Sequence, residues 1–326
     1  MNVYAMGTRF QHTFPSRALG AAAAILIAVV GAWEGRGWTR MAAPRSELRA
    51  ARKLADECRG WVVFQRERTN LAESIFVAPV GSRWARRLAA GRYPRWSPDG
   101  RWIAFFQSSN VCVMTAEGRK FRVLTSARVS EPHALAFHPS GEEIWFSDGN
   151  ELRAVDWTGR SRTVLTNLAV RGLGFSADGR RVMLALAGHR IVAAEVQPKG
   201  TFRLGPVLHR GCSAAISPDG VGYTHLGGRH DVVRVRHWNT HQVQVEFRPP
   251  EGYPVDNEVW SNHPRWLVCR SEWPAPADVW ILDMATTGMV RVVWTADAKR
   301  ADLWVARSSR EATGWWHWWL HRFGLE

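Results

Sequence analysis

Four short segments of this chain are near copies of one another: WSPDG at 96–100, FHPSG at 137–141, FSADG at 175–179 and ISPDG at 216–220. Their first residues, Trp96, Phe137, Phe175 and Ile216, are spaced by 41, 38 and 41 positions. A repeat of about 40 residues marks a chain built from supersecondary units, each too small to bury its apolar face alone. In every copy an apolar residue runs into a tight turn, because Ser, Pro, Asp and Gly are the residues that reverse a backbone. A fifth copy is disguised. Placing EVWSNHPRWL (258–267) under PRWSPDGRWI (94–103) sets Trp260 on Trp96, Ser261 on Ser97, Arg265 on Arg101 and Trp266 on Trp102. His263 then falls on Asp99 and reads as a turn residue.

The segments after each turn repeat as well. Runs at 101–106, 110–114 and 121–124 follow the first turn, and runs at 143–146, 151–155 and 163–165 follow the second. They are rich in β-branched and aromatic residues and bounded by Gly, Asn, Asp and Ser, which is the pattern of short strands. Four strands per unit of about 40 residues is the blade of a β-propeller. Five blades begin near residues 94, 134, 172, 213 and 258. Ahead of them, 61–64, 74–78 and 85–88 supply three strands of a blade that lacks its first, and Asp302–Val305 near the other end can complete it. Closing the ring this way covers two sheet edges that would otherwise be open to aggregation. The expected fold is all-β, a propeller of six four-stranded blades.

The string from Trp96, WSPDGRWIAF, resembles the repeat of TolB-like β-propellers, the WD-like repeats of exported bacterial envelope proteins. The resemblance covers roughly residues 58 to 305. It implies a propeller that binds something, but no single activity. Similar repeats occur in envelope scaffolds, in the propellers of prolyl-oligopeptidase-like peptidases and in oligogalacturonate lyases, and fold does not dictate function. The Asn262-His263-Pro264 turn and the Trp-rich C-terminal tail depart from the family pattern.

The N-terminal region points to export. Arg9 and Arg17 precede an apolar run at 18–30, followed by Gly31 and Ala32. This reads either as a cleaved signal peptide or, extended through Trp33, as a retained membrane anchor. Both place the propeller outside the cytoplasm, in the periplasm, and the second holds it at the inner membrane. The expected organisation is a signal or anchor at 1–36, a helical linker at 37–59, the propeller at 60–306 and a tail at 307–326. In the linker, Leu48, Ala51, Ala55 and Cys58 recur at helical spacing, and Ser46 is the expected N-cap.

Charge is a weaker guide. The formal net charge is +14, yet only Lys53, Lys120, Lys199 and Lys299 of the 43 basic residues are lysines, and the arginines are spread over all blades. That fits a solvated surface better than a polyanion tract, and export argues against nucleic acid as a partner. Cys58, Cys112, Cys212 and Cys269 form no Cys-x-x-Cys pair, so a structural zinc site is not expected. Cys112 and Cys269 lie in apolar runs and are expected to be buried free thiols.

Candidate site residues follow from position. Asp99, Asp178 and Asp219 are turn-forming carboxylates. His225, His230 and His241 crowd one blade and are weak metal candidates, because a strand-loop-strand segment gives them no fixed ligand face. The chain has no Gly-x-Ser-x-Gly elbow, which excludes an oligopeptidase-type hydrolase. Blade-entrance positions Arg95, His133, Arg171, Ser213 and Asn257 are the expected binding residues. Trp315, Trp316, Trp318 and Trp319 of the tail suit a membrane interface or a protein partner. The expected function is a non-enzymatic scaffold of the cell envelope with a protein or glycan partner and no cofactor. The alternative is a lyase or hydrolase on acidic polysaccharide, using His and Arg at the channel mouth.

Overall fold

The computed structural model describes residues 37–67, 73–197, 202–226, 229–272 and 274–307. The chain divides into two compact units, Met1–Thr39 and Arg40–Glu326. Of the first unit, residues 37–39 are described, and Trp38 begins a short strand, Trp38–Arg40. The expected signal or anchor segment and the Trp-rich tail lie outside the described residues. Among the described residues no helix is long and apolar enough to cross a membrane.

The second unit is a six-bladed propeller of antiparallel sheets. Blade 1 joins the two ends of the ring: Ala298–Val305 is its innermost strand, followed outward by Gly60–Arg66, Ser74–Pro79 and Trp84–Ala90. The register sets Gly60 opposite Val305, Trp61 opposite Trp304 and Val63 opposite Asp302. The split blade expected from the sequence is therefore what closes the ring. Blade 2 runs Arg92–Trp96, Trp102–Gln107, Asn110–Thr115 and Arg122–Val123. Blade 3 runs Leu135–Phe137, Glu143–Asp148, Glu151–Asp156 and Ser161–Leu165. Blade 4 is Val170–Phe175, Arg181–Leu186, Arg190–Val196 and Phe202–Arg210. Blade 6 is Val255–Trp260, Trp266–Ser271, Val279–Asp283 and Met289–Val293.

Blade 5 departs from the repeat. Gly222–Leu226, Val233–His237 and Val243–Phe247 are regular, while the segment before them forms an irregular inner edge, bridging Ile216 to Tyr223 and accepting the Thr224 and Leu226 N–H groups at the Ala215 and Ser213 carbonyls. One bond there goes to a side chain. The Ala215 N–H donates to Thr224 Oγ1 at 2.9 Å, so a side chain takes a bond that the ladder would otherwise make.

The repeated turn shows why its residue types recur. In blade 2 the Ser97 hydroxyl donates to Asp99 Oδ1 at 2.6 Å and accepts the Trp102 N–H at 2.9 Å. Asp99 Oδ1 also accepts the Arg101 N–H at 3.0 Å. Ser176 with Asp178 and Ser217 with Asp219 repeat the same bonds. In the disguised copy the imidazole replaces the carboxylate: His263 Nδ1 accepts the Arg265 N–H at 3.2 Å. The alignment placed His263 on Asp99, and the hydrogen bond is the equivalent one.

In blade 1 the two middle strands are buried along their whole length. Gly60–Arg66 and Ser74–Pro79 have no exposed position, and they read in sequence as continuous apolar runs. Between blades 1 and 2, Trp61, Val63, Ile103, Phe105 and Trp304 form one such layer. Cys58, Cys112 and Cys269 are buried free thiols and Cys212 is half-buried, as expected for Cys112 and Cys269.

The helix spans Arg45–Glu57, with Leu48 and Ala51 buried. Its N-cap is Pro44, without a side-chain cap, and Ser46 lies inside the first turn. This corrects the expected cap: the ring of Pro44 already fixes φ at −59° where the helix begins, which pre-organises the start one step earlier. Glu47 in that first turn accepts Arg291 Nε at 2.6 Å and Trp294 Nε1 at 2.7 Å. At the other end Glu57 accepts Arg265 Nη2 at 2.6 Å. The helix is thus pinned to blade 6 by one arginine at each end.

Candidate functional site: the central channel

The innermost segments of all six blades line a single cavity of about 240 Å³. Its wall includes Arg300 and Asp302 from blade 1, Arg95 from blade 2, His133 before blade 3, Arg171 from blade 4, Ser213 from blade 5, and Asn257 and Glu258 from blade 6. All five blade-entrance residues singled out from the sequence stand on this wall. The structure gives them different work.

Three of them hold the wall together. Arg95 donates to the carbonyls of Pro94 at 3.2 Å and Ala301 at 3.3 Å, and burial lowers its pKa while the Asp302 charge opposes that shift. Asp302 accepts the Trp96 N–H at 2.8 Å and the Leu303 N–H at 2.9 Å; its own burial raises its pKa. Ser213 donates its hydroxyl to Glu258 Oε2. Asn257 accepts a guanidinium N–H from Arg300.

Arg300 was not visible in the sequence as a site residue. Tyr93, Asn257 and Arg300 have φ of 56°, 56° and 49°, the left-handed region that non-glycine residues rarely adopt. Each lies within a register shift of its innermost strand, in blades 2, 6 and 1. Bulges re-aim side chains, and here they bring three adjacent blades together. The Arg300 guanidinium lies 4.5 Å from the Tyr93 ring centre and 3.3 Å from its hydroxyl while also bonding Asn257.

Glu258 was missed too, although a signal existed. It precedes Trp260 by two positions, and the equivalent slots in the other copies are Pro94, Leu135, Leu173 and Ala214. A carboxylate in an otherwise apolar slot is the anomaly. Glu258 is 2 % exposed, and burial pushes its carboxyl up to about 7, opposed in part by the Ser213 hydroxyl.

The mouth is positively charged. Burial and the nearby Arg171, Arg300 and Arg92 charges lower the pKa of half-buried His133, with Glu131 opposing them. Among the described residues no carboxylate forms an ion pair with Arg92, Arg171 or Arg300. Arg171 is exposed.

The histidines of blade 5 do not converge. His225 stacks on His209 at 4.4 Å and accepts Arg236 Nε at 3.4 Å; burial, His209 and Arg236 hold it near 4, so it is neutral. His241 bonds the Tyr223 hydroxyl at 3.1 Å, and His230 bonds Glu272. Among the described residues no group of three His, Cys, Asp or Glu side chains forms a metal site. Trp315, Trp316, Trp318 and Trp319 lie outside the described residues.

Among solved structures, the chain superposes on the crystal structure of TolB from Acinetobacter baumannii with a TM-score of 0.60 at 14 % identity, covering 75 % of this chain and 66 % of that one. The fold is that of a TolB-like β-propeller. The present chain thus spans just under two thirds of that TolB chain, and at this identity the likeness is one of fold. Weaker similarities reach hydrazine synthase of Kuenenia stuttgartiensis, with a TM-score of 0.46, 16 % identity and coverage of 61 % and 65 %. A chain of a nidogen/laminin complex matches with a TM-score of 0.48, 18 % identity and coverage of 58 % and 76 %. No protein-family model and no curated protein matches the sequence.

Proposed function

We propose that this TolB-like propeller is an exported scaffold of the cell envelope whose channel mouth binds, without transforming it, an acidic segment of a protein partner. The observation that carries this reading is the cluster of Arg92, Arg171 and Arg300 around His133, none of them in an ion pair among the described residues, at the opening of a cavity walled by all six blades. A bound carboxylate supplies a counter-charge that no ion pair among the described residues provides. The apolar run at 18–30 behind two arginines supports an extracytoplasmic location.

The enzymatic alternative needs convergent acid and base groups. The cavity wall offers one imidazole, His133, and one carboxyl near neutrality, Glu258, while His225, His230 and His241 are not on it. The scaffold reading is therefore preferred.

The test is titration of the purified chain with an oligo-glutamate peptide and, in parallel, with polygalacturonate. Arg171 is exposed and its side chain makes no hydrogen bond or ion pair among the described residues, so Arg171→Glu tests charge without disturbing the ring. A charge-assisted hydrogen bond contributes about 1.5–3 kcal/mol, so the variant should bind the peptide at least about tenfold more weakly. Equal binding by both proteins would remove the channel mouth as the site. Release of unsaturated uronate from polygalacturonate would establish the lyase instead.

A further inference from the structure

Loops from three consecutive blades meet at Cys212, which enters the channel wall just before Ser213. Its Sγ lies 3.2 Å from His230 Nε2, in the loop between the strands Gly222–Leu226 and Val233–His237 of blade 5. The second nitrogen of that ring, Nδ1, is 2.5 Å from Glu272 Oε2, just beyond the strand Trp266–Ser271 of blade 6. Arg270 Nη2 holds the other oxygen of Glu272 at 3.3 Å. From blade 4, His189 Nδ1 approaches the sulfur at 3.6 Å. The three other cysteines are buried in strand or helix packing.

This is the order nucleophile, base, orienting carboxylate. A carboxylate accepting the Nδ1–H of His230 fixes the tautomer whose Nε2 lone pair points at the thiol. The site is open to small molecules: Cys212 is half-buried, and the side chains of His230 and Glu272 are 19 % and 31 % exposed.

We propose that Cys212, His230 and Glu272 form a nucleophilic thiol site that takes an acyl group from an ester or thioester reaching the channel rim. The charged groups around the sulfur decide how it works. Burial, then the carboxylates of Asp256, Glu272 and Glu258, raise the thiol pKa, so the resting site holds S–H beside the imidazoles of His230 and His189. The proton leaves during attack. As sulfur bonds to the carbonyl carbon, the thiol proton passes to His230 Nε2. The bond from that carbon to the leaving oxygen or sulfur then breaks, and the leaving group departs with the proton from Nε2. The products are S-acyl Cys212 and a free alcohol or thiol. Water, attacking the thioester with His230 again as base, restores the thiol and releases the acid. This site is independent of the arginines at the mouth, so loss of peptide binding leaves it standing.

The test uses the full chain and p-nitrophenyl acetate, reading p-nitrophenol release and locating the acetyl group by peptide mass mapping. Acetylation of Cys212 is expected at neutral pH, and none at that position in Cys212→Ser. General-base catalysis contributes about 10²- to 10⁴-fold, so His230→Ala should slow acetylation about a hundredfold. Glu272→Gln should slow it less, and His189→Ala by no more than about twofold, since His189 takes no part in the step. Raising the pH should restore the His230→Ala rate as hydroxide replaces the missing base, which a purely structural defect would not allow. Equal rates in wild type and His230→Ala at neutral pH would overturn the proposal. So would tight binding of Zn²⁺ lost alike in Cys212→Ser, His189→Ala and His230→Ala, which would mark a metal site.

Discussion

Gly100 and Gly141 end the same repeated turn and separate two effects that are usually entangled. Their φ angles are +71° and +73°, and each N–H bonds the carbonyl three residues back, at 2.9 Å and 2.8 Å. A Cβ on Gly141 would meet nothing within 4 Å; one on Gly100 would stand 2.2 Å from Trp304 Cε2 and 2.6 Å from Cδ2 and Nε1. The indole cannot retreat, because it is 4 % exposed and packs 5.7 Å from the Trp61 ring and 6.5 Å from the Trp96 ring. Gly141→Ala should therefore cost only the left-handed backbone, about 1–2 kcal/mol. Gly100→Ala adds overpacking of about 1–3 kcal/mol, and it does so on the strand that closes the ring. Urea unfolding followed by tryptophan fluorescence should give midpoints in the order wild type, Gly141→Ala, Gly100→Ala. In thermal scans the two variants should differ by roughly 2–4 °C for each kcal/mol between them. Equal destabilisation would refute the argument that the turn of blade 2 clamps Trp304.

Two further outcomes follow from buried carboxyls. Glu258 titrates near 7 in the fold against an ordinary 4.5, so the native state binds its proton more tightly than the unfolded chain does. Its contribution is complete below about pH 4.5 and is lost as pH rises through about 7, a change of roughly 3 kcal/mol. Glu258→Gln should flatten that part of the urea stability profile, and an unchanged slope would show that another group titrates there. Asp302→Ala leaves the buried Trp96 N–H without its acceptor, at a cost of about 2–3 kcal/mol. Asp302→Asn keeps an acceptor and should unfold closer to wild type in the same urea titration; matching losses would mean that the Arg95 charge, not the N–H, sets the cost.

The parts of this molecule legible in its sequence are those governed by local rules. The repeated turn is a closed system of bonds among five or six neighbouring residues, so Ser97 with Asp99 announces itself, and His263 can be recognised as its substitute. Blade 1 was legible for a related reason: three strands lacking a fourth, and a strand lacking a sheet, imply each other. The helix cap was misplaced because Ser46 and Pro44 both satisfy start rules, and nothing in the string ranks them. Arg95, Ser213 and Asn257 stand on the channel wall, but their bonds go to Ala301, Glu258 and Arg300 on neighbouring blades. Such partners depend on how blades pack. Cys212, His230 and Glu272 were illegible as a group, since 18 and 42 residues separate successive members and they meet only when blades 5 and 6 stand side by side.

The closure of blade 1 also sets an order of events. Gly60–Arg66 pairs with Ala298–Val305, so the early strand of this blade waits for more than two hundred residues of chain before its inner edge is covered. Until then a largely apolar strand presents unpaired backbone, the feature that templates aggregation. Contacts of such long sequence separation also form slowly. A ring closed by a strand as late as Ala298–Val305 carries that open edge until this strand has been made, and loses it in one step.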